Sequence, residues 1–442
     1  MMIEQKQDIL IKNGHVICMD PSGSRYQNAD IAVKDGVITA IGPQLSMEAK
    51  TVIDAAGNAV MPGLIDCHMH ETLLRGLMED LPLMRWLNEI CFPKDRAFQP
   101  HHQRAAAMMA QLEMIRGGIT TFIDIFRYPG VAAEVAEASG LRGIFSPQLI
   151  DDPLGPGETL ESSLAFIEEW RDRCPGRIMT WFGPHSLYTV QEETMRQLQP
   201  LAEKYGVGVH IHLAETRDEF DQCMTKHGRT PTQRLADFGL HGPRVLAAHG
   251  VHLTDEDMQI LVALDIAVAH NPSSNMKLAS GVARIPDLID AGVRVGLGTD
   301  SNLSNNNLDM FEEMRLAAML QKLSRSDAAS MPVDQMMRMA TINGAACLCL
   351  QDQVGSLELG KRADVIIVDL HAPHMWPVLP EPASNVIEQL VYSANAGDVL
   401  TTIVDGQVLM RDREIFSLDV RETEALVLEA AQDLIKLAGI QL

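Results

Sequence analysis

The sequence predicts an α/β protein: a (β/α)8 TIM barrel carrying a small composite β-sandwich domain built from both chain ends. Three observations predict it. The 442 residues are too many for one small core. Eight short apolar runs alternate with helical stretches through the middle of the chain. At both ends, segments of alternating apolar and polar residues are punctuated by turn residues.

At the N-terminal end, "ILIKNGHVICMD", "DIAVKDGVITAIG" and "TVIDAAGNAVMPG" read as short strands, with Asn-Gly, Asp-Gly or Gly-Asn at their turns. The texture returns in "ADVIIVDL" and "TTIVDGQVLMRD". Chain termini of a domain often lie close together, so the two segments are expected to form one module. In the middle, "PGLIDCHMH", "TTFIDIF", "RGIFSPQ", "IMTWFGPH", "VGVHIHLAE", "VLAAHG", "IAVAHNP" and "VRVGLGTD" are the eight strand candidates. Stretches with 3.6-residue periodicity, such as 191–205 and 310–323, lie between them. The expected boundaries are 1–60 and 355–420 for the two parts of the sandwich, 61–354 for the barrel, and 421–442 for an amphipathic helix docked on the barrel or on a second subunit.

Apolar residues make up 46% and charged residues 21%, as in an ordinary globular protein. A net charge of −23 disfavours a nucleic-acid or anionic-membrane partner. The seven cysteines are scattered and form no repeated CxxC pair, which favours a reduced cytoplasmic setting over a disulfide framework. Residues 1–12 lack a signal-peptide apolar region, and no stretch approaches the roughly 20 apolar residues of a membrane span. The expected protein is soluble.

Six of the eight runs end in an ionisable group: His68 and His70, His185, His210 and His212, His249, His270, and Asp300. Catalytic groups of such barrels sit at the C-terminal ends of the strands. His68 and His70 are two residues apart on a strand and share a face. Imidazoles with a carboxylate suit one divalent ion, zinc first and iron(II) second, with a position left open for water. The spacing recurs at His210 and His212, of which His212 lies nearer the strand end. Glu215 follows within reach of that water and is the natural proton shuttle. His249 is either a further ligand or an electrophilic partner, and Asp300 can coordinate the ion, accept a proton, or do both. An ion lowers the pKa of its water towards about 7. This set suits displacement of an amine from an aromatic N-heterocycle.

The motifs "PGLIDCHMH", "HLAET", "AAHG", "VAHNPSSNMKLASG", "LGTD" and "SNNNLDMFEEMRLAA" resemble the amidohydrolase superfamily. Within it they look like the 5′-methylthioadenosine/S-adenosylhomocysteine deaminases and the related s-triazine-type aminohydrolases. "GSLELGKRADVIIVDL" resembles the return into the composite β-module. The resemblance implies metal ligation by His68, His70, His212 and Asp300, with Glu215 and His249 in the proton work. It places Trp86 and His185 in the substrate pocket. Asp95 stands where adenosine-type members carry a glutamate for the ribose hydroxyls; it either does that job with a shorter reach or marks a substrate without ribose. No arginine lies between Arg142 and Arg171, where some members hold the nucleoside tail. Arg127 is an alternative positive group, and a polar Ser301-Asn302-Leu303 loop replaces the usual small residues.

The expected function is therefore hydrolytic deamination of an adenosine-like or other amino-substituted N-heterocycle, a C–N hydrolysis in a cyclic amidine. An s-triazine amino- or chlorohydrolase and a pterin- or guanine-type deaminase would use the same metal site. A binuclear cyclic-amide hydrolase is disfavoured, because "WFGPHS" offers no bridging lysine or carboxylate. No PCxxC accompanies a His-x-Glu, which disfavours the cytidine-deaminase type of zinc site. A non-catalytic binding protein would lack one of the candidate ligands, and none is lacking. The expected partner is a small heterocycle, and a homo-oligomer is compatible with the sequence.

Overall fold

The computed structural model describes residues 6–440 apart from 78, 82, 152–155 and 381. The two chain ends meet in one nine-stranded sheet. The N-terminal end supplies Gln7–Ile17, Arg25–Lys34, Val37–Pro43, Ala49–Asp54 and Ala59–Pro62. The C-terminal end supplies Val365–Val368, Val399–Val404, Gln407–Arg411 and Glu414–Ile415. Ala59–Pro62 is the seam: it pairs parallel with Gln7–Ile17 and antiparallel with Val365–Val368. It also straddles the boundary expected at residue 60.

The expected β-sandwich is instead a single continuous sheet that curls around its own core. Its outer strand returns to the opposite half through the bridge between Val37 and Arg362. Ile11, Ile31, Val33, Ile53, Val365 and Ile403 are buried between the halves. Asp35-Gly36 takes positive φ at both residues (51° and 75°), which matches the twist of a two-residue hairpin. Asn13-Gly14 has a different role from the expected turn. It lies within Gln7–Ile17, where the register shifts between Ile11 and Gly14. A Cβ on Gly14 would stand 2.4 Å from a Val60 methyl, so the pair makes a bulge where two strands approach closely.

All eight strand candidates form parallel strands. Six strands make one sheet, including Leu64–His70, Ile119–Phe126 and Arg142–Leu149. A four-stranded sheet holds Val209–Leu213, Val245–His249, Ala267–His270 and Val295–Leu297. The two sheets meet at both edges. On one side the Phe182 amide donates to the Gly208 carbonyl and the His210 amide to the Phe182 carbonyl, both at 2.8 Å. On the other side the chain passes from Val295–Leu297 into Asp300–Ser301, which pairs with Met69 and His70. These strands are buried on both faces, which is why they read as unbroken apolar runs.

Val420–Ala438 is the expected C-terminal helix. It packs on the helices Phe92–Ala97 and Pro100–Gly117, with Ala430 and Leu434 buried beside Phe98 and Ala105. Among the described residues, no helix is long and apolar enough to cross a membrane.

Arg142 ties the composite sheet to the parallel strands. Its Nε and Nη2 donate to Asp364 Oδ2 and Oδ1 at 3.0 and 2.9 Å, and the Asp405 amide donates to the same Asp364 Oδ1 at 2.7 Å. Both side chains of the ion pair are 2% exposed or less. Arg142→Met should therefore cost about 3–5 kcal/mol by leaving the Asp364 carboxylate buried and uncompensated. The urea midpoint should fall accordingly, and most of the loss should be recovered by adding Asp364→Leu.

Candidate metal and substrate site

The side chains at the strand ends are aimed by specific backbone partners. The buried Asp66 carboxylate accepts from the His68 amide (3.2 Å) and from the Thr299 amide (3.0 Å) and hydroxyl (2.5 Å), joining the first strand to the segment before Asp300. Burial pushes the Asp66 carboxyl up to about 7. His249 and Asp300 both have left-handed backbone, with φ of 75° and 62°. Such conformations cost about 1–3 kcal/mol outside glycine and cluster where a side chain must be aimed. Asp300 is held by the Ser301 amide on Oδ1 (2.7 Å) and the Ser274 hydroxyl on Oδ2 (2.5 Å). Because both oxygens accept, the ionised carboxylate is the favoured form.

The imidazoles then converge. His70 Nδ1 lies 2.6 Å from the Ile125 carbonyl oxygen, and His212 Nδ1 lies 2.7 Å from that of His185. A carbonyl only accepts, so each ring carries its proton on Nδ1 and presents a bare lone pair at Nε2. Those two Nε2 atoms face each other at 3.2 Å. Two lone pairs at that distance call for a cation between them. His68 Nε2 is buried without a hydrogen-bond partner and lies 3.4 Å from Asp300 Oδ1, which is also 3.3 Å from His70 Nε2. Burial lowers His68 to about 3 and His212 well below its ordinary value, keeping both rings neutral as a metal requires. The donor set of three imidazoles and one carboxylate, with its orphaned nitrogen, fits one divalent ion. His249 groups with His68 and His212, with the candidate ligand atoms within 4.8 Å of one another.

Glu215 stands just past Val209–Leu213, with Oε2 3.8 Å from His249 Nε2 and Oε1 accepting from the Ser280 hydroxyl at 3.1 Å. Burial raises its carboxyl above the ordinary range, against the partial opposition of His249. His249 Nδ1 lies 2.9 Å from the Asn275 side-chain oxygen and 3.3 Å from the Asn271 side-chain nitrogen, and its Nε2 faces Glu215. Glu215, His70, His212 and His249 open into one cavity. Trp86, Asp95 and His185 all line it, so every expected site residue is brought to one place. His185 is anchored through Nδ1 to the Thr189 hydroxyl at 2.9 Å.

The amidohydrolase family profile matches residues 59–409. The chain belongs to the amidohydrolase family. A protein of Methanosarcina acetivorans named 5′-deoxyadenosine deaminase is 41% identical over 437 residues, covering 98% of this chain and 99% of that protein. A Pelotomaculum thermopropionicum protein named 5-methylthioadenosine/S-adenosylhomocysteine deaminase is 41% identical over 438 residues, covering 98% and 99%. The crystal structure of an adenosine deaminase from Xanthomonas campestris with bound zinc matches with a TM-score of 0.92 at 33% identity, covering 99% of this chain and 100% of that one.

Several supports of this amidohydrolase site escaped the sequence reading. His210 places Nε2 2.8 Å from His68 Nδ1 and so orients that ring. Glu219 accepts from the Ala214 and Glu215 amides at 3.0 and 2.8 Å, fixing the backbone that carries Glu215. The Thr216-x-x-Glu219 spacing at a helix start was the available signal. Ser274 and Ser280 reach the site from "NPSSNMKLAS", where no local pattern marks them. Arg127 does not line the cavity: it donates to the Asp95 carbonyl and, at 3.3 Å, to the Tyr128 hydroxyl. Of the arginine-free stretch after the third strand, residues 152–155 lie outside the described residues.

His212→Ala and Asp300→Ala should each lose bound metal and activity together, as read by elemental analysis and turnover. Glu215→Gln should retain the metal and lose about 10²–10⁴-fold in kcat.

Proposed function

We propose that this amidohydrolase removes the exocyclic amine of an adenosine-type N-heterocycle by hydrolysis, releasing ammonia. The observation that carries the reading is the convergence of His68, His70, His212 and Asp300 beside Glu215 in the cavity lined by Trp86, Asp95 and His185. The names borne by the relatives at 41% identity point the same way. In the same reading the two parallel sheets are halves of one (β/α)8 barrel spanning residues 61–354, supported by the hydrogen bonds at both seams. Residues 1–60 and 355–420 form the composite domain, and 421–442 the terminal helix.

His68, His70, His212 and Asp300 would hold the ion, for which zinc suits the donor set best. When bound, it makes water acidic enough to attack near neutral pH and polarises the reacting centre. The rest falls to the chain's own groups. Glu215, whose buried carboxyl holds a proton more tightly than an exposed one, donates to the ring nitrogen beside the carbon under attack. Asp300 and Nε2 of His249 accept protons from the attacking water and orient it. Trp86 covers the flat heterocycle, and Asp95 accepts from hydroxyl groups of its sugar. As the carbon–nitrogen bond breaks, the proton gained from water is returned to the departing amine and the remaining hydroxyl proton passes to Glu215, so ammonia leaves, an oxo group remains and Glu215 is restored.

An ammonia-release screen over adenosine, 5′-deoxyadenosine, 5′-methylthioadenosine, S-adenosylhomocysteine, guanine, pterins and aminotriazines tests the proposal. The adenosine-type compounds should give the highest kcat/KM. Turnover confined to triazines or to guanine would overturn it.

A further inference from the structure

We infer that the Lys94–Asp95 pair sets the substrate class of this cavity: because Asp95 answers the Lys94 ammonium, the pair selects adenosine-type substrates whose 5′ substituent carries no anionic group. The inference deepens the deaminase reading and rests on it.

Lys94 and Asp95 sit on the helix Phe92–Ala97, and both line the cavity with the candidate metal residues. Lys94 is 1% exposed and Asp95 7%. Successive helix residues point in different directions, so neighbours do not meet by default. Here the lysine stem bends so that Nζ stands 3.0 Å from Asp95 Oδ1 while donating to the Thr72 hydroxyl. The Phe126 and Phe98 rings lie 5.3 and 5.7 Å from Nζ, walling it from water. A buried ammonium with no counter-charge would attract an anion. This one is already answered.

Among the described residues lining the cavity, Lys94 is the one lysine or arginine. Arg127 is spent on the Asp95 carbonyl and Tyr128, and the sequence from 143 to 170 contains neither lysine nor arginine. The cavity also holds acceptors that await donors. Gln148 Oε1 is buried without a hydrogen bond, and Asp95 Oδ1 meets the Lys94 ammonium, leaving its second oxygen for another donor. Sugar hydroxyls supply such donors, whereas a carboxylate brought into the same space would find acceptors and no spare cation. The lining therefore matches a nucleoside with a hydrogen, hydroxyl or thioether at the 5′ position.

The test compares 5′-methylthioadenosine with S-adenosylhomocysteine on the metal-loaded enzyme. The two share adenine, ribose and the 5′ sulfur, and differ in the amino-acid tail. The wild-type kcat/KM should favour the neutral thioether by about tenfold or more. Lys94→Met should raise its KM about tenfold while kcat falls far less, and Lys94→Arg should restore much of the KM. Asp95→Asn, which leaves Lys94 unanswered, should shift the preference towards S-adenosylhomocysteine; thermal unfolding checks that each variant folds. Equal wild-type turnover of the two compounds, or an unchanged ratio in both Lys94→Met and Asp95→Asn, overturns the inference while leaving the deaminase reading intact. Absence of ammonia from every adenosine-type compound overturns both.

Discussion

Two hydrogen bonds to main-chain carbonyls organise the site. The Ile125 and His185 oxygens fix the Nδ1 protons of His70 and His212, and so force two lone pairs towards one point. Nothing in either ring dictates that tautomer in isolation; the neighbouring strand ends do. This places a strong requirement on the parallel strands, because a slip of one residue would turn each histidine to the other face. The network of Asp66, Thr299 and the His68 amide holds the first strand against the last segment and keeps that register.

The remaining architecture serves this alignment. The positive-φ backbone at His249 and Asp300 is tolerated because Ser274, Asn275 and the Ser301 amide grip the two side chains. The composite sheet contributes from outside, through the Arg142–Asp364 pair and through Ala59–Pro62, which leads directly into the strand carrying His68 and His70. The helix Val420–Ala438 packs behind the segment that carries Lys94 and Asp95 and so backs one wall of the cavity.

Much of this was legible in the sequence because it follows from period and position. The eight apolar runs announce strands buried on both faces, and a two-residue histidine spacing announces a shared face. His68, His70, His212, Glu215, His249 and Asp300 were legible for that reason. What was not legible depends on tertiary approach. Asn13-Gly14 has the composition of a turn, yet the nearness of Val60 makes it a bulge inside a strand. His210 looks like any core histidine until His68 is brought within 2.8 Å of it. Ser274, Ser280 and the Lys94–Asp95 pair come from loops and short helices whose contacts no local pattern encodes.

One ion should sit where these lone pairs converge. Anomalous diffraction at the zinc edge, on crystals of the purified protein, tests it most directly. A single strong peak is expected about 2.0–2.2 Å from Nε2 of His68, His70 and His212 and from an Asp300 oxygen. A fully active protein with no peak there, or with its ion held only at the surface group of His101, His102 and Asp433, would contradict it.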